Sequence, residues 1–176
     1  MLWIGCQVIF TSTMNALLST AVRFDIQMLA QAIVRSHSVD AFRAHLSASQ
    51  WETLSSYMQP FEVALGQTLI EQGTTDRTLY FVEAGSLTVH YEDEKLRVRM
   101  ATVGPGSVLG EGAFFSHLPR AATVQAATAC RLWCLNPMRF TELSNRHSPI
   151  ALEVVAGLGG VLAKRLYNRP KRVAVT

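Results

Sequence analysis

Short runs of alternating apolar and polar residues fill the stretch from Phe61 to Leu135, and glycine separates many of them. Alternation with a period of two is typical of a β-strand that buries one face. The runs lie at 61–65, 68–71, 79–82, 87–91 and 96–100, with one or two more between 123 and 135. Strands this short predict an antiparallel sandwich or jelly roll. The absence of a strand-helix-strand rhythm excludes a doubly wound parallel sheet.

Helical patterns flank this region. Before it, the sequence predicts three helices, at about 26–33, at 39–46 behind an N-cap at Ser38, and at 47–58 behind a Ser47–Gln50 capping box. After it, Asn136 and Ser148 each precede a proline, as an N-cap precedes the first helical position. They predict helices over 137–146 and 149–168, the second ended by Pro170.

The resulting fold class is α+β, an antiparallel sandwich or jelly roll flanked by N- and C-terminal helices. The predicted parts are a charge-free N-terminal segment (1–22), N-terminal helices (23–59), a domain at 60–168 whose roll covers 61–135 and whose C-terminal helices cover 137–168, and a basic tail (169–176). Seven polar residues interrupt the first part and no basic residue precedes its apolar run, so no membrane helix or signal peptide is expected. We expect it to pack on the domain or to precede a natural start at Met14.

Positive charge is concentrated near the C-terminal end. The formal net charge is +3, and residues 136–176 carry seven basic and two acidic residues. The cluster consists of Lys164, Arg165, Arg169, Lys171 and Arg172. Such a cluster can bind phosphate or an acidic partner. A solvated helix end is the favoured interpretation, and neither nucleic acid nor a membrane is expected as a partner.

The sequence offers few candidates for catalysis or metal binding. Cys130 and Cys134 share one face of a predicted strand, but a zinc site needs four ligands and no second pair lies nearby. The five histidines are scattered, and no nucleophile, P-loop or dinucleotide motif occurs. We therefore expect no metal, no cofactor and no enzymatic activity. Three cysteines are too few for a disulfide framework, which indicates a reducing, cytoplasmic setting.

The glycine-rich stretch 104–123 contains one acid, Glu111, and one base, Arg120. Gly110 allows a ligand to approach the backbone closely, and a helical turn starting at Glu111 would direct free N–H groups at an anion. Arg120 suits phosphate, and the carboxylate of Glu111 can accept hydrogen bonds from a sugar hydroxyl. These features predict a nucleotide-sized site. An equally weighted alternative is a surface loop in which Glu111 forms a salt bridge with Arg120.

Two segments of this stretch resemble the phosphate-binding cassette of cyclic nucleotide-binding domains: residues 110–113, Gly-Glu-Gly-Ala, and residues 119–123, Pro-Arg-Ala-Ala-Thr. Such domains occur in the catabolite activator protein family, in kinase regulatory subunits and in cyclic nucleotide-gated channels. The resemblance covers about 61–168 and includes turn positions at Gly73, Asp76, Tyr80, Gly85 and Gly104–Gly106. It implies an α+β fold in which an antiparallel, eight-stranded jelly-roll β-barrel is flanked by N- and C-terminal helices, binds a cyclic nucleotide and has no catalytic residues.

The resemblance also implies roles for single residues. Glu111 would bind the ribose 2′-hydroxyl, with the Gly110 carbonyl nearby. Arg120 would bind an exocyclic phosphate oxygen, together with the backbone N–H groups of Ala113 and Ala121. The remaining predicted contacts are Ala122, Val89 on the base or ribose side, and Gly112, where the family often has a larger apolar residue. Since cGMP-selective members often carry Thr at the position of Ala121, cAMP is favoured over cGMP.

The predicted function is that of a cyclic nucleotide sensor with cAMP as the favoured ligand, which acts through a conformational change and an unidentified protein partner. A homodimer is expected through 149–168, where apolar and small residues recur at heptad spacing. They are Leu152, Val155, Gly159, Leu162 and Leu166. Two alternatives stay open: a Crp-type transcriptional regulator relative that lacks the helix-turn-helix, and a ligand-free structural or interaction module.

Overall fold

The structure, a computed structural model, describes residues 24–92 and 98–173. Its elements in chain order are α1 (Ile26–Arg35), α2 (Ala48–Ser55), β1 (Gln59–Val63), β2 (Thr68–Ile70), β3 (Leu79–Ala84), β4 (Leu87–Glu92), β5 (Val98–Val103), β6 (Val108–Leu109), α3 (Glu111–Ser116), β7 (Thr123–Ala126), β8 (Cys130–Leu135), α4 (Pro137–Arg146) and α5 (Ser148–Val173). The α+β class is confirmed. The charge-free segment 1–22 and the last three residues of the predicted basic tail lie outside the described residues.

The eight strands form two four-stranded sheets, with the orders β1-β8-β3-β6 and β2-β7-β4-β5. Every pair is antiparallel; Phe61 lies opposite Leu132 in the first sheet, and Val89 opposite Ala101 in the second. This pairing confirms the exclusion of a doubly wound sheet. Within the described residues no ladder joins the two sheets, so closure into a barrel stays a prediction.

Strands β3 and β8 of the first sheet are buried on both faces, which creates two cores. Val82 and Leu132 face the second sheet and pack with Leu87 and Val124. The neighbouring residue Phe81 faces the helices. There it packs with residues of α1, α2, α4 and α5, which cover the outer face of the first sheet. Alternate residues of one strand therefore stabilise different layers, because successive side chains point to opposite faces.

The capping signals hold at two helices. The Ser47–Gln50 capping box of α2 is present, and the Asn136 side chain accepts a hydrogen bond from the Arg139 N–H at 2.9 Å. Ser148 is itself the first residue of α5 rather than its N-cap. The prediction that Pro170 ends this helix is also wrong, since α5 continues to Val173. A proline lacks the N–H that would bond the carbonyl four residues earlier and its ring crowds that carbonyl, so it weakens the preceding turn without ending the helix.

The helix predicted at 39–46 is wrong: residues 41–47 have no regular structure. Ser38 does not cap a helix there, and its Oγ donates to Asp40 Oδ1 at 2.7 Å. Phe42 is fully buried and makes an edge contact with Phe81, with 5.2 Å between ring centroids. The backbone of this segment is held by tertiary bonds instead, since the Arg43 guanidinium donates to the carbonyls of Ile33 and Ser36. The apolar spacing thus reflects burial of an irregular segment.

Helix α5 crosses this segment closely at one glycine. A Cβ on Gly157 would overlap the carbonyl oxygen of Arg43 and lie 2.5 Å from the Phe42 ring. A Cβ on Gly159 would meet nothing within 4 Å. Gly157 and Gly159 therefore have opposite packing requirements, although they lie in the same helix.

We expect Gly157→Ala to lower the free energy of unfolding by about 1–3 kcal/mol, because a rigid backbone carbonyl must move. Gly159→Ala should raise it by up to about 1 kcal/mol through helix propensity alone. Urea unfolding of both variants measures the difference. Equal shifts in the two variants would contradict the packing described for α5.

Candidate functional site

A cavity of about 150 Å³ lies between the β6–α3 region, the start of β7 and helix α5. All eight residues predicted as ligand contacts line it: Val89, Gly110, Glu111, Gly112, Ala113, Arg120, Ala121 and Ala122. The other lining residues are Ile70, Leu109, Val124 and Arg165. The structure thus brings the predicted residues to one place, while their contact with a ligand stays a prediction.

Gly110 joins β6 to α3 and shapes one wall of the cavity. Its φ of 86° lies in the left-handed region, which favours glycine. A Cβ there would lie 2.6 Å from the Thr78 carbonyl oxygen and would overlap a terminal nitrogen of Arg120. Any larger residue would displace the arginine. The predicted helical turn at Glu111 is present as α3.

Arg120 is a buried cation, with 3% of its surface exposed. Its Nη2 forms an ion pair with Asp76 and donates to the Thr78 carbonyl at 2.7 Å, and its Nη1 donates to the Gly110 carbonyl at 3.2 Å. The Nε atom is buried and has no hydrogen-bond partner among the described residues. The guanidinium is therefore held rigidly at the cavity wall, and its cationic donors are not all used by the protein, an arrangement suited to an anionic ligand.

Asp76 fixes Arg120 from the loop between β2 and β3. Burial alone would raise the pKa of Asp76, but hydrogen bonds from Arg120 and Thr78 together with the arginine charge lower it below its ordinary value. The Thr78 backbone N–H donates to Asp76 Oδ1 at 2.9 Å. This local turn is encoded by an aspartate two residues before a threonine, a signal from which the position of the carboxylate can be predicted. The identity of its arginine partner, which lies 44 positions away, cannot be predicted from this local signal.

Glu111 does not pair with Arg120, so the surface-loop alternative with a Glu111–Arg120 salt bridge is wrong. Its partner is Arg165 of α5, whose Nη1 donates to Glu111 Oε1 at 2.6 Å. Arg165 Nε also donates to Asp40 Oδ2 at 2.7 Å, and Nη2 donates to the Val108 carbonyl at 2.9 Å. Three parts of the chain therefore meet at one guanidinium. The assignment of Arg165 to a solvated basic cluster is wrong.

The electrostatics of Arg165 follow from these partners. Burial would lower the pKa of Arg165, but the charge of Glu111 and the hydrogen bonds and charge of Asp40 raise it above its ordinary value. The sequence contained a usable signal for this contact. Val154, Leu158 and Val161 form the buried stripe of α5, and Arg165 continues their spacing. A cation on a buried stripe requires a carboxylate partner.

No other chemistry stands out in the described part of the chain. Within it, no group of three or more histidine, cysteine, aspartate or glutamate residues could hold a metal ion. Burial, and then the charge of Asp76, raises the pKa of Cys134 to about 12, so this thiol stays protonated at neutral pH. Among the described helices, none combines the length and the apolar character needed to cross a membrane.

Removing the Asp76 carboxylate should produce a pH-dependent loss of stability. Because the pKa of Asp76 is lowered on folding, its ion pair stabilises the protein above about pH 4, and this contribution disappears as the pH falls through the folded pKa. We expect Asp76→Asn to be less stable at pH 7 by about 1–3 kcal/mol, because the half-exposed carboxylate limits the loss while the buried Arg120 is left without a carboxylate. Urea unfolding between pH 7 and pH 3 measures this.

The curves for wild type and Asp76→Asn should converge at acid pH, whereas the exposed Glu71→Gln control should follow wild type throughout. A constant difference between wild type and Asp76→Asn down to pH 3 would contradict the pairing.

Comparison with known proteins agrees with this geometry. The model of the family described as the cyclic nucleotide-binding domain matches residues 60–147, half of the chain. The chain is similar to a cAMP-dependent protein kinase regulatory subunit of Eremothecium gossypii, at 40% identity over 46% of this chain and 17% of that protein. It is also similar to a cGMP-dependent protein kinase of Plasmodium berghei, at 31% identity over 58% of this chain and 12% of that protein.

These figures mean that the chain spans less than a fifth of the length of either curated relative. Among solved structures, a cyclic nucleotide-binding domain from Methylobacillus flagellatus KT superimposes with a TM-score of 0.74 at 19% identity, covering 84% of this chain and 82% of that one. At that identity the likeness shows the fold. Since the family model covers half of the sequence, the chain belongs to the cyclic nucleotide-binding domain family.

Proposed function

We propose that this protein is a cyclic nucleotide sensor that binds its ligand in the cavity between α3, the start of β7 and α5. The observation that carries the proposal is the buried Arg120, held at the cavity wall by Asp76 with its Nε unused. A phosphate is the ligand group that best matches a fixed guanidinium in a small, glycine- and alanine-lined wall. Arg120 would bind the cyclic phosphate and Glu111 the ribose 2′-hydroxyl.

The size of the cavity limits how the ligand is placed. At about 150 Å³ it is smaller than the roughly 300–1,000 Å³ of pockets that enclose a whole small molecule. We therefore place the sugar and phosphate next to Arg120 and Glu111, with the base on the side of Val89 and extending beyond the enclosed space.

We infer a preference for cAMP over cGMP from one side chain. Ala121 lines the cavity directly after Arg120 and offers no hydroxyl to the guanine amino group. A missing hydrogen bond of this kind reduces affinity by roughly ten- to a hundredfold. The matched relatives carry both nucleotides in their names, so the choice rests on Ala121.

The proposed output is regulatory rather than catalytic. Arg165 connects the cavity to α5, so ligand binding can change how α5 is docked and pass a conformational change to a protein partner in the cytoplasm. No cofactor takes part in this scheme. The alternative of a ligand-free module predicts that Arg120 binds no nucleotide. The alternative of a Crp-type relative without a helix-turn-helix predicts that nucleotide binding causes no response in a protein partner.

Helix α5 also supports the proposed homodimer through 149–168. Its core-facing side holds Val154 and Leu158, while Leu152 and Leu166 are 68% and 69% exposed on the outer side. A Cβ on Gly159, between them, would meet open space. The expected heptad seam therefore remains available to a second copy of the helix.

Calorimetric titration with cAMP and cGMP tests the nucleotide site. We expect tighter binding of cAMP, a loss of about 2–5 kcal/mol of binding free energy in Arg120→Ala because a phosphate charge loses its partner, and a smaller loss in Glu111→Gln. Arg146→Ala, which removes an exposed arginine on α4, is the control and should bind as wild type does. Folding of each variant is checked by thermal unfolding.

Tighter binding of cGMP refutes the nucleotide preference. A folded Arg120→Ala protein that binds as tightly as wild type refutes the site.

Sedimentation equilibrium tests the dimer. We expect wild type to associate and the double variant Leu152→Glu, Leu166→Glu to be monomeric, because two carboxylates would face each other in the seam. Val34→Glu places the same charge on an exposed apolar residue of α1 and should leave association unchanged. A wild-type protein that stays monomeric at high concentration contradicts the proposed interface.

A further inference from the structure

The carboxylate assigned to the ribose is held from outside the cassette. We propose that Arg165 and Asp40 are positioning residues that orient Glu111 for a ribose 2′-hydroxyl, so that the distinction between a ribonucleotide and its 2′-deoxy analogue depends on helix α5 and on the segment between α1 and α2. This inference rests on the proposed function and concerns the same cavity.

The first support is the way in which Arg165 uses its donors. Nη1, Nε and Nη2 each bind a different group, namely Glu111 Oε1, Asp40 Oδ2 and the Val108 carbonyl, at 2.6–2.9 Å. A planar guanidinium with three directional bonds has one orientation available. The position of Glu111 Oε1 is therefore determined by the position of α5.

The second support is the charge balance. Arg165 and the two carboxylates are largely buried, with 18%, 8% and 11% of the side chains of Arg165, Asp40 and Glu111 exposed. Without the guanidinium, the buried carboxylate of Glu111 would lose the cation that fixes its Oε1, and burial of an uncompensated carboxylate is costly. Glu111 would then turn toward solvent and lose the orientation needed to accept from a sugar hydroxyl.

The third support is that the pairing leaves Glu111 competent to bind. Arg165 engages Oε1, so Oε2 can accept a ligand hydroxyl at the same time. Bonding at one oxygen orients the other and does not compete with it. Arg165 is therefore a positioning residue rather than a competitor of the ribose.

Asp40 completes the arrangement from the N-terminal side. It does not line the cavity, yet its Oδ2 accepts from Arg165 Nε while its Oδ1 accepts from Ser38. This bond fixes the Nε edge of the guanidinium, which leaves Nη1 directed at Glu111. A neutral side chain at residue 40 would weaken that hold without changing any group in the cavity.

The test compares binding of cAMP and 2′-deoxy-cAMP to wild type, Arg165→Met, Asp40→Asn and Lys164→Met. Lys164 is the exposed neighbour of Arg165 on α5, so its substitution makes the same charge change and serves as the matched control. We expect wild type and the control to prefer cAMP by about tenfold or more, since a hydrogen bond to a charged acceptor is lost with the 2′-hydroxyl.

In Arg165→Met we expect the affinity for cAMP to fall by about tenfold, while that for 2′-deoxy-cAMP changes by less than about threefold. Asp40→Asn, which keeps the side-chain shape, should also lose affinity for cAMP selectively, but by a smaller factor. If Arg165→Met does not fold, binding by Asp40→Asn alone tests the inference.

Three outcomes overturn the inference. Equal losses for the two ligands would mean that Arg165 and Asp40 act only on the general structure. Unchanged preference in both variants would mean that they do not act on Glu111. A stronger preference for cAMP in Arg165→Met would mean that the arginine competes with the ribose. Failure of wild type to bind either ligand would instead refute the proposed function.

Discussion

Two arginines, Arg120 and Arg165, are buried together with their charges, and the arrangement of the site depends on neutralising them. A buried cation without a partner is strongly destabilising, so each must be placed against a carboxylate. Arg120 pairs with Asp76, 44 positions earlier, and Arg165 pairs with Asp40, 125 positions earlier, and with Glu111. These ion pairs tie the cassette to the loop between β2 and β3, to the segment after α1, and to α5.

The two sheets make this possible because they bury one core between them and a second under the helices. The cassette lies where β6 leaves the first sheet and β7 enters the second, so both sheets contribute to one cavity. Helix α5 packs its apolar stripe on the outer core and delivers Arg165 to the cavity from its exposed end. The geometry of the site therefore depends on the position of a helix, as the proposed sensor function requires.

Much of the fold could be predicted from local patterns, since alternation marks strands and capping residues mark helix ends. The predictions of secondary structure were wrong where tertiary contacts replaced local structure. At 39–46 the apolar spacing resembled a helix, but Phe42 packs on Phe81 from an irregular backbone held by Arg43. At Pro170 the helix continued to Val173, because the proline weakens the turn before it without forcing the following residues out of the helix.

The sequence by itself determined the cassette, because a glycine-rich stretch with Glu111 and Arg120 at a specific spacing is a local property of the chain. It also determined the strand periods and the caps of α2 and α4. Only the tertiary structure decided which charges meet: Arg120 with Asp76, and Glu111 with Arg165. The physical reason is that ion pairs between distant residues depend on how the layers pack, and no spacing along the chain encodes that distance.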